Sequence, residues 1–215
     1  MKEQQKKYEL TDEFIEHWSG KKLYRIRALV TFGSVVVGQL GGFVESEKNL
    51  DQSLLGNAWV FDDAQVFDDA RVYGDAQVSG NAQVFGNAWV FDDAQVFDDA
   101  RVSGNAQVFD DARVYGDAQV YGDALVYGDA SVRSYAIISD KKMIFWASNV
   151  GSENGTLTVF NGKGGLIVTR DCFTGTVDEF LSKSAKVHDD KTKNEYKLLI
   201  EVAKSRILGV KDERN

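Results

Sequence analysis

Small apolar residues recur with a fixed period through the middle of the chain. Alanine occupies every sixth position from Ala58 to Ala130, and valine follows two residues later from Val60 to Val132, thirteen times each without an insertion. Each unit reads Ala-x-Val-x, followed by Gly or Asp and then by Asp or Asn. The alternation suits a short strand, and Gly, Asp and Asn tolerate the left-handed backbone angles of tight turns. A period of six does not match the 3.6-residue turn of an α-helix, so the pattern predicts short strands joined by turns.

The repeated pair also predicts the shape of the interior. Alternation along a strand places the alanines and valines on one side and the intervening residues on the other. Because the inward pair is always a small residue with a β-branched one, the interior must be narrow and uniform. A stack of identical coils in a solenoid has such an interior.

The run AWVFDDAQVFDDARVYGDA resembles the hexapeptide repeat of left-handed parallel β-helix proteins. In that family three hexapeptides make one triangular coil of eighteen residues, and the resemblance, rather than the physics of the chain, implies the left hand. Thirteen units make a little over four coils, and Ala136 with Ile138 adds a fourteenth unit. We therefore predict a mainly β fold, a left-handed parallel β-helix with an N-terminal β segment and a small C-terminal α+β cap.

The chain divides into three predicted regions. Residues 1–53 are assigned to an N-terminal helix and strand cap, residues 54–140 to the β-helix, and residues 141–215 to a hairpin plus two helices. In the first region, the alternation in Leu23 to Phe32 is typical of a strand. The C-terminal region is expected to cover the open end of the last coil, whose unpaired edge would otherwise invite aggregation.

Two local signals support the C-terminal assignment. The stretch LTVFNGKGGLIVTR is typical of a hairpin with a glycine-containing turn. Thr176 with Glu179 forms a capping box that opens an amphipathic helix through about Val187. A second helix is predicted to begin at Asn194.

A stretch of sixteen residues, NAWVFDDAQVFDDARV, occurs twice, from Asn57 to Val72 and from Asn87 to Val102. The shift of thirty residues equals five hexapeptides, whereas a coil takes three. The second copy therefore lies on a different face of the prism, so that Trp59 is on face one and Trp89 on face three. Surface residues must accordingly be compared in steps of eighteen.

When residues are compared in steps of eighteen, the three faces differ in the residue that follows each valine. Face one carries Phe61, Ser79, Phe97 and Tyr115; face two carries Phe67, Phe85, Ser103 and Tyr121; face three carries Tyr73, Phe91, Phe109 and Tyr127. Only the row on face three, the aromatic ladder, is unbroken. Trp89 and Leu125 each directly precede a valine of the same face and add to its apolar surface. The ladder and these two residues are our candidate interaction site.

The aromatic ladder has three interpretations. Stacked aromatic side chains stabilise neighbouring strands, so the ladder could serve only the prism itself or packing under its own cap. An exposed row of this size is also typical of an interface. The interface could be with further copies of the chain, and the resemblance implies a homo-oligomer, with a trimer favoured. It could also be with a foreign partner, such as a host protein.

The corner that follows face three carries an unbroken row of aspartates, Asp75, Asp93, Asp111 and Asp129, which we call the aspartate corner. Fourteen aspartates and four arginines between Gly56 and Arg133 give the repeats a net charge of −10, and the remaining residues bring the total of the chain to −8. Turn chemistry and solubility explain aspartates in such positions. Two alternatives are mimicry of a nucleic acid, which has about one charge per 1.7 Å of duplex, and cation binding along the row. The acidity argues against direct binding of nucleic acid or of an anionic membrane.

An enzymatic role has little support in the sequence. Many hexapeptide β-helix proteins that this chain distantly resembles are acyltransferases, which use a histidine as general base. Here the two histidines, His17 and His188, both lie outside the repeats, and no loop leaves the coils. Cys172 precedes a predicted helix but has no evident base, so a packing role is expected. No catalytic residue, cofactor or metal site is assigned.

A second resemblance covers nearly the whole chain. The lead-in GQLGGFVESEKNL and the downstream CFTGTVDEF resemble a set of uncharacterised hexapeptide-repeat proteins of bacteriophages and prophages. We therefore expect a non-enzymatic, protein-binding β-helix, in one form an acidic inhibitor of a host defence or DNA-acting enzyme. A structural trimer and an acyltransferase are the alternatives. A single cysteine and the absence of a signal-peptide pattern or a long apolar run predict a location in the host bacterial cytoplasm.

Overall fold

The computed structural model describes residues 5–209. The chain begins with three antiparallel strands, β1 (Tyr8–Glu16), β2 (Lys22–Ala28) and β3 (Leu40–Val44). The predicted strand from Leu23 thus corresponds to β2. Strand β3 also pairs in parallel with the first strand of the coils on its other side, so the N-terminal segment is continuous with the prism.

The N-terminal helix predicted within residues 1–53 is wrong for the residues that the structure describes. Residues 8–16 form a strand, and the helical structure in this part of the described chain is one 3-10 turn at Glu47–Asn49. The reason is visible in the alternation of Tyr8 and Leu10, which pair with Ala28 and Ile26 on the neighbouring strand. The first four residues lie outside the described range.

The repeats form a parallel β-solenoid, as predicted. Each Ala-x-Val unit gives one short strand, and every strand pairs with the strand eighteen residues away, for example Val78 with Val96 and Val96 with Val114. The strands are β4 (Trp59–Val60), β5 (Gln65–Val66), β6 (Arg71–Val72), β7 (Gln77–Val78), β8 (Gln83–Val84), β9 (Trp89–Val90), β10 (Gln95–Val96), β11 (Arg101–Val102), β12 (Gln107–Val108), β13 (Arg113–Val114), β14 (Gln119–Asp123), β15 (Leu125–Val126), β16 (Ser131–Val132) and β17 (Ile137–Asp140).

Three sheets form the three faces of the prism. Face one is the sheet ordered β4-β7-β10-β13-β16, and face three is the sheet ordered β6-β9-β12-β15. Face two is the longest, because β5-β8-β11-β14-β17 continues through β3 into the N-terminal strands. The two copies of the duplicated stretch therefore start on different faces, with Trp59 on face one and Trp89 on face three, as the arithmetic of eighteen predicts.

The solenoid begins earlier than residue 54, the predicted start. Val44 pairs with Val66 and Leu50 bridges to Val72, so both occupy valine positions of a preceding coil. Gly42 stands at the alanine position of that coil, where an added Cβ would lie 2.5 Å from the carbonyl oxygen of Ala64. This coil carries no Ala-x-Val unit, which is why the repeat pattern does not reveal it.

The alanines and valines of the coils are completely enclosed. Every alanine from Ala58 to Ala130 and its valine partner is buried in one core cluster. The first residue of each turn pair has a positive φ, for example 52° at Asp62 and 71° at Gly74. The sequence pattern of Gly and Asp at this position is therefore the consequence of the left-handed backbone that each corner requires.

The first coil is closed by the N-terminal strands. Trp59 is buried, with Tyr8 and Phe32 packed edge-on against its indole at ring distances of 6.0 and 5.4 Å. The buried Lys7 amine donates to the carbonyl oxygens of Gly56 and Ala58, and burial lowers the pKa of this amine. Trp59 is thus a core residue, although its repeat position points out of the prism.

The last coil is closed by a four-stranded antiparallel sheet and two helices. The strands are β18 (Ile144–Val150), β19 (Gly155–Gly162), β20 (Gly165–Arg170) and β21 (Phe173–Thr176), followed by α1 (Val177–Val187) and α2 (Asp190–Lys204). Phe160 of β19 joins the core of the prism, and Ala136 bridges to Gly162. The predicted α+β cap and its β19-β20 hairpin are confirmed.

The helix signals of the cap are correct in one case and misplaced in the other. Thr176 and Glu179 form the predicted capping box, in which the Glu179 amide donates to the Thr176 hydroxyl. The second helix starts at Asp190 instead of Asn194, because the Asp189 carboxylate accepts from the Thr192 amide and caps it. Between residues 5 and 209 no helix has the length and apolarity needed to cross a membrane.

The junction of the N-terminal strands with face two predicts an acid-sensitive contact. Asp68 lies 2.6 Å from the Lys21 amine and accepts from the Gly86 amide. Burial opposes ionisation of this carboxyl, but the bonds from Lys21 and Gly86 outweigh it and hold its pKa below the usual 3.8.

We expect Asp68→Asn to lower the free energy of unfolding at pH 7. Because the pKa of Asp68 is lower in the folded state, the unfolded chain takes up the proton first. The stabilisation is therefore full above pH 3.8 and is lost as the pH falls through the folded pKa. Urea unfolding of both proteins between pH 7 and pH 2.5 measures the difference, and a difference that stays constant over this range contradicts the assignment.

Candidate protein-binding surface

The four residues of the aromatic ladder stack directly on one another on face three. The ring centroids of Tyr73 and Phe91 are 4.9 Å apart, those of Phe91 and Phe109 4.9 Å, and those of Phe109 and Tyr127 5.0 Å. The planes of neighbouring rings differ by 5° or less. The spacing follows from that of stacked strands, about 4.8 Å, so the solenoid backbone places the rings without further help.

The other two faces carry shorter stacks. On face one Ser79 interrupts the row, and Phe97 stacks on Tyr115 at 4.6 Å. On face two Phe67 stacks on Phe85 at 5.1 Å, but the N-terminal segment covers Phe67, with the His17 ring 4.6 Å away. Face three is the one whose aromatic row runs through four coils.

The aromatic ladder is partly exposed to solvent, since Tyr73, Phe91 and Phe109 are half-buried. Tyr127 is 38% exposed and Trp89, on the same face, is 40% exposed. Trp59, which has the same place in the first copy of the duplicated stretch, is buried. Leu125 is half-buried in the column of Trp89 and Gln107. The structure thus brings all six predicted interaction residues onto one surface.

Residues outside the repeats extend this surface at both ends. Trp146 of β18 packs edge-on against Tyr127 at 4.2 Å, beside a groove of about 440 Å³ that Lys141, Lys142 and Arg206 also line. At the other end Tyr73 and Trp89 line a groove of about 450 Å³ together with Glu47, Lys48, Leu50, Asp51, Gln52, Arg71 and Val72. Sequence analysis missed Trp146, because only the fold of the cap brings it to the prism.

The aspartate corner differs from the other two corners in its hydrogen bonds. In the other corners asparagines interrupt the rows of carboxylates, as where Asn81 donates to Asp99 at 3.0 Å and Asn105 to Asp123 at 2.9 Å. The aspartate corner has donors at its ends only, from Asn57 to Asp75 and from Ser148 to Asp129. Among the described residues, Asp93 and Asp111 have no side-chain hydrogen bond or ion pair.

Many of the other aspartates are part of the turn structure. Asp62, Asp98 and Asp110 have positive φ, and each accepts from the amide of the glycine one coil further on, at 3.0 to 3.2 Å. These bonds favour turn chemistry as the reason for aspartate at the first turn position. They do not involve the aspartate corner, whose residues occupy the second turn position.

Metal binding finds no support in the geometry. Within residues 5–209 no group of three or more His, Cys, Asp or Glu side chains is arranged to hold a metal ion. The aspartate corner is a linear row, and a single ion can contact at most two neighbouring carboxylates of such a row. The row is better described as a line of negative charge.

The histidines and the cysteine lie away from face three. His17 is buried against Phe67, and His188 ends helix α1, where its amide donates to the Ser184 carbonyl. Cys172 is exposed, so the packing role predicted for it is wrong. Cys172 and His188 line one cavity of the cap, a juxtaposition that their separation in sequence does not reveal.

Comparison with known proteins agrees with the coil geometry. Five segments match the family model of the YdcK beta solenoid repeat, at residues 64–80, 76–92, 94–108, 106–118 and 118–134. All five lie in the coils and none in the caps. No curated protein matches the chain. The match and the observed coils together show that the chain is a β-solenoid repeat protein.

Proposed function

We propose that the chain is a non-enzymatic binding protein that holds a partner protein on face three. The observation that carries this proposal is the unbroken, partly exposed aromatic ladder with the exposed Trp89 beside it. Aromatic side chains dominate the binding energy of protein interfaces, and rigid ones lose little conformational entropy on binding. The stacking fixes these rings before any partner arrives.

The charges around face three favour a foreign partner over a second copy. The aspartate corner runs along one edge of the face, and Asp69 and Asp123 lie on the corner along the other edge. An antiparallel face-to-face pairing of two copies would place one aspartate corner against the other, and like charges in an interface cost binding energy. A partner with an apolar strip between basic residues would be complementary. A trimer, the arrangement that the β-helix resemblance implies, is the alternative.

A narrower form of the proposal is an inhibitor that occupies the nucleic-acid channel of a DNA-acting or host defence enzyme. The aspartate corner favours it, because no amide group interrupts its row of carboxylates, whereas asparagines interrupt the rows of the other corners. The net charge of −10 on the repeats, over a prism roughly 20 Å tall, approaches the charge density of duplex DNA. Acyl transfer has no such support, since neither histidine lies on the coils.

Removal of charge from the aspartate corner tests the electrostatic part of the proposal. We expect Asp93→Lys with Asp111→Lys to abolish capture of the partner, and Asp93→Asn with Asp111→Asn to weaken it about tenfold, because a basic partner loses its counter-charges. Binding of the original protein should also weaken as salt rises from 50 to 300 mM. Pull-down from bacterial lysate followed by titration with the purified partner measures all three effects.

The asparagine variant contains its own folding control. In this double variant the asparagine at position 93 can donate to the one at position 111 as Asn87 does to Asn105, and the one at position 111 can donate to Asp129 as Asn105 does to Asp123. We therefore expect its free energy of unfolding to rise by about 0.5 to 1 kcal/mol. Weaker binding by a more stable protein cannot be ascribed to misfolding. Unchanged binding by both charge variants would refute a role for the aspartate corner, and light scattering that shows a stable trimer of the protein alone would favour the structural alternative.

A further inference from the structure

The outer surface of the prism at its N-terminal end is apolar. Five large aliphatic side chains are exposed there, and we call them the apolar end: Leu29, Val36, Val37, Leu54 and Leu55. Their exposed fractions range from 39% at Leu29 to 97% at Leu55. The terminal caps of a solenoid need a polar outer face to keep the protein soluble. An apolar cap surface is instead typical of a surface that another molecule covers.

Two neighbouring loops carry the apolar end. The first, residues 29–39, connects β2 to β3, and the second, residues 52–56, leads into β4. An added Cβ on Gly33 of the first loop would lie 3.1 Å from the side chain of Asn57, which directly follows the second loop. The two loops therefore touch at the corner where the first Ala-x-Val coil begins.

Lys7 joins the two loops from the inside. Its carbonyl oxygen accepts from the Leu29 amide at 2.9 Å, and its amine donates to the Gly56 carbonyl oxygen at 3.2 Å. The Lys7 side chain is buried, so it adds no exposed charge to the loops. The aliphatic side chains of both loops thus form one continuous patch above a fixed backbone.

The apolar end is also free of charged residues in the sequence. Residues 28–44 and 52–61 contain no Asp, Glu, Lys or Arg, although 27% of the chain is charged and its net charge is −8. Like charges that face each other in an interface oppose association. Two copies of this acidic chain can therefore meet at the apolar end without that cost.

This absence of charge favours a second copy as the occupant. In a two-fold symmetric contact each copy presents the same patch to the other, so any charge in the patch would lie close to its own equivalent. Aliphatic side chains instead pack on their equivalents and leave water together. The coils, with a net charge of −10, do not suit such a contact.

We propose that two copies of the chain associate through their apolar ends into a two-fold symmetric dimer. The aliphatic side chains of the two loops form the apolar centre of the interface, as in other homodimers. The C-terminal caps lie at the outer ends of the dimer. The contact leaves face three of both copies uncovered, so the inference does not rest on the proposed function.

Sedimentation equilibrium of the full chain across the micromolar range tests the dimer. At the highest concentrations we expect a mass of twice the 23.9 kDa of one chain. Leu55→Asp and Val36→Asp, one on each loop, should each weaken dimerisation at least about tenfold, because the new carboxylates of the two copies repel each other. Both positions are exposed, so the melting temperature of the dilute, monomeric protein should not change.

The matched control is Leu198→Asp. Leu198 is 58% exposed on α2, in the C-terminal cap, so the change places the same charge on an exposed aliphatic position at the opposite end of the chain's fold. We expect this variant to dimerise as the original protein does. A monomer at every concentration, a mass of three or more chains, or equal weakening by Leu198→Asp and Leu55→Asp would overturn the proposal. A dimer that persists in both Leu55→Asp and Val36→Asp would also overturn it.

Discussion

Ala106→Leu is expected to destabilise the protein by about 3 kcal/mol, because it forces additional methylene groups into a filled core. Ala106 is fully buried. The valines before and after it in the chain, Val102 and Val108, and those of the neighbouring coils are buried in the same core cluster. The interior has room for one small and one β-branched side chain per strand, so a leucine must displace the backbone of its coil. Because each coil is supported by its neighbours, the displacement spreads to them.

The adjacent change Gln107→Leu provides the control. Gln107 points outward, between Trp89 and Leu125 in its column, so a leucine there should change the free energy of unfolding by no more than about 0.5 kcal/mol. Urea unfolding monitored by far-UV circular dichroism gives both values. Similar destabilisation by the two variants would mean that the interior is not as narrow as the geometry indicates.

Phe91→Ser combined with Phe109→Ser is expected to weaken partner binding at least about a hundredfold. These residues form the middle of the aromatic ladder, and central aromatic residues of an interface each contribute about 2 kcal/mol or more. The fold tolerates serine at this position of the repeat, because Ser79 and Ser103 occupy it on the other two faces. Titration of the purified partner against the original and the doubly substituted protein measures the loss.

The matched control for the double variant is Phe97→Ser. Phe97 occupies the same repeat position on face one and stacks on Tyr115 at 4.6 Å, so its loss removes one stacked pair from another surface. Full binding by Phe97→Ser and lost binding by the face-three variant would assign the interface. Equal losses in both would instead indicate that the aromatic stacks serve the stability of the prism.

The sequence predicts the coils because their structure is local. A six-residue unit contains its own strand and its own turn, and Gly or Asp at a fixed position provides the positive φ of each corner. The register of eighteen then determines which side chains share a face, so the ladder and the aspartate corner could be placed without a structure. The same regularity explains why Trp59 and Trp89 were correctly assigned to different faces.

Apart from the start of α2, the features that the sequence did not reveal depend on contacts between segments distant in sequence. Gly42 and Leu50 belong to a coil that lacks the Ala-x-Val unit. This coil is positioned by its contacts with the next coil, at Ala64 and Val72. The burial of Trp59 depends on the N-terminal segment, which contributes Tyr8. The contact of Trp146 with Tyr127 depends on how the C-terminal cap folds back onto the prism. Cys172 and His188 are separated in the sequence by a whole helix, and only the fold brings them to one cavity.

Site-specific photo-crosslinking tests the central claim most directly. A photoreactive amino acid replaces Gln107 at the centre of face three in one variant and Gln95, its counterpart on face one, in another. After irradiation in bacterial cells, the proposal predicts that position 107 crosslinks to one foreign protein and position 95 does not. Crosslinks from position 107 to further copies of the chain alone, or equal crosslinking from both positions, would contradict it.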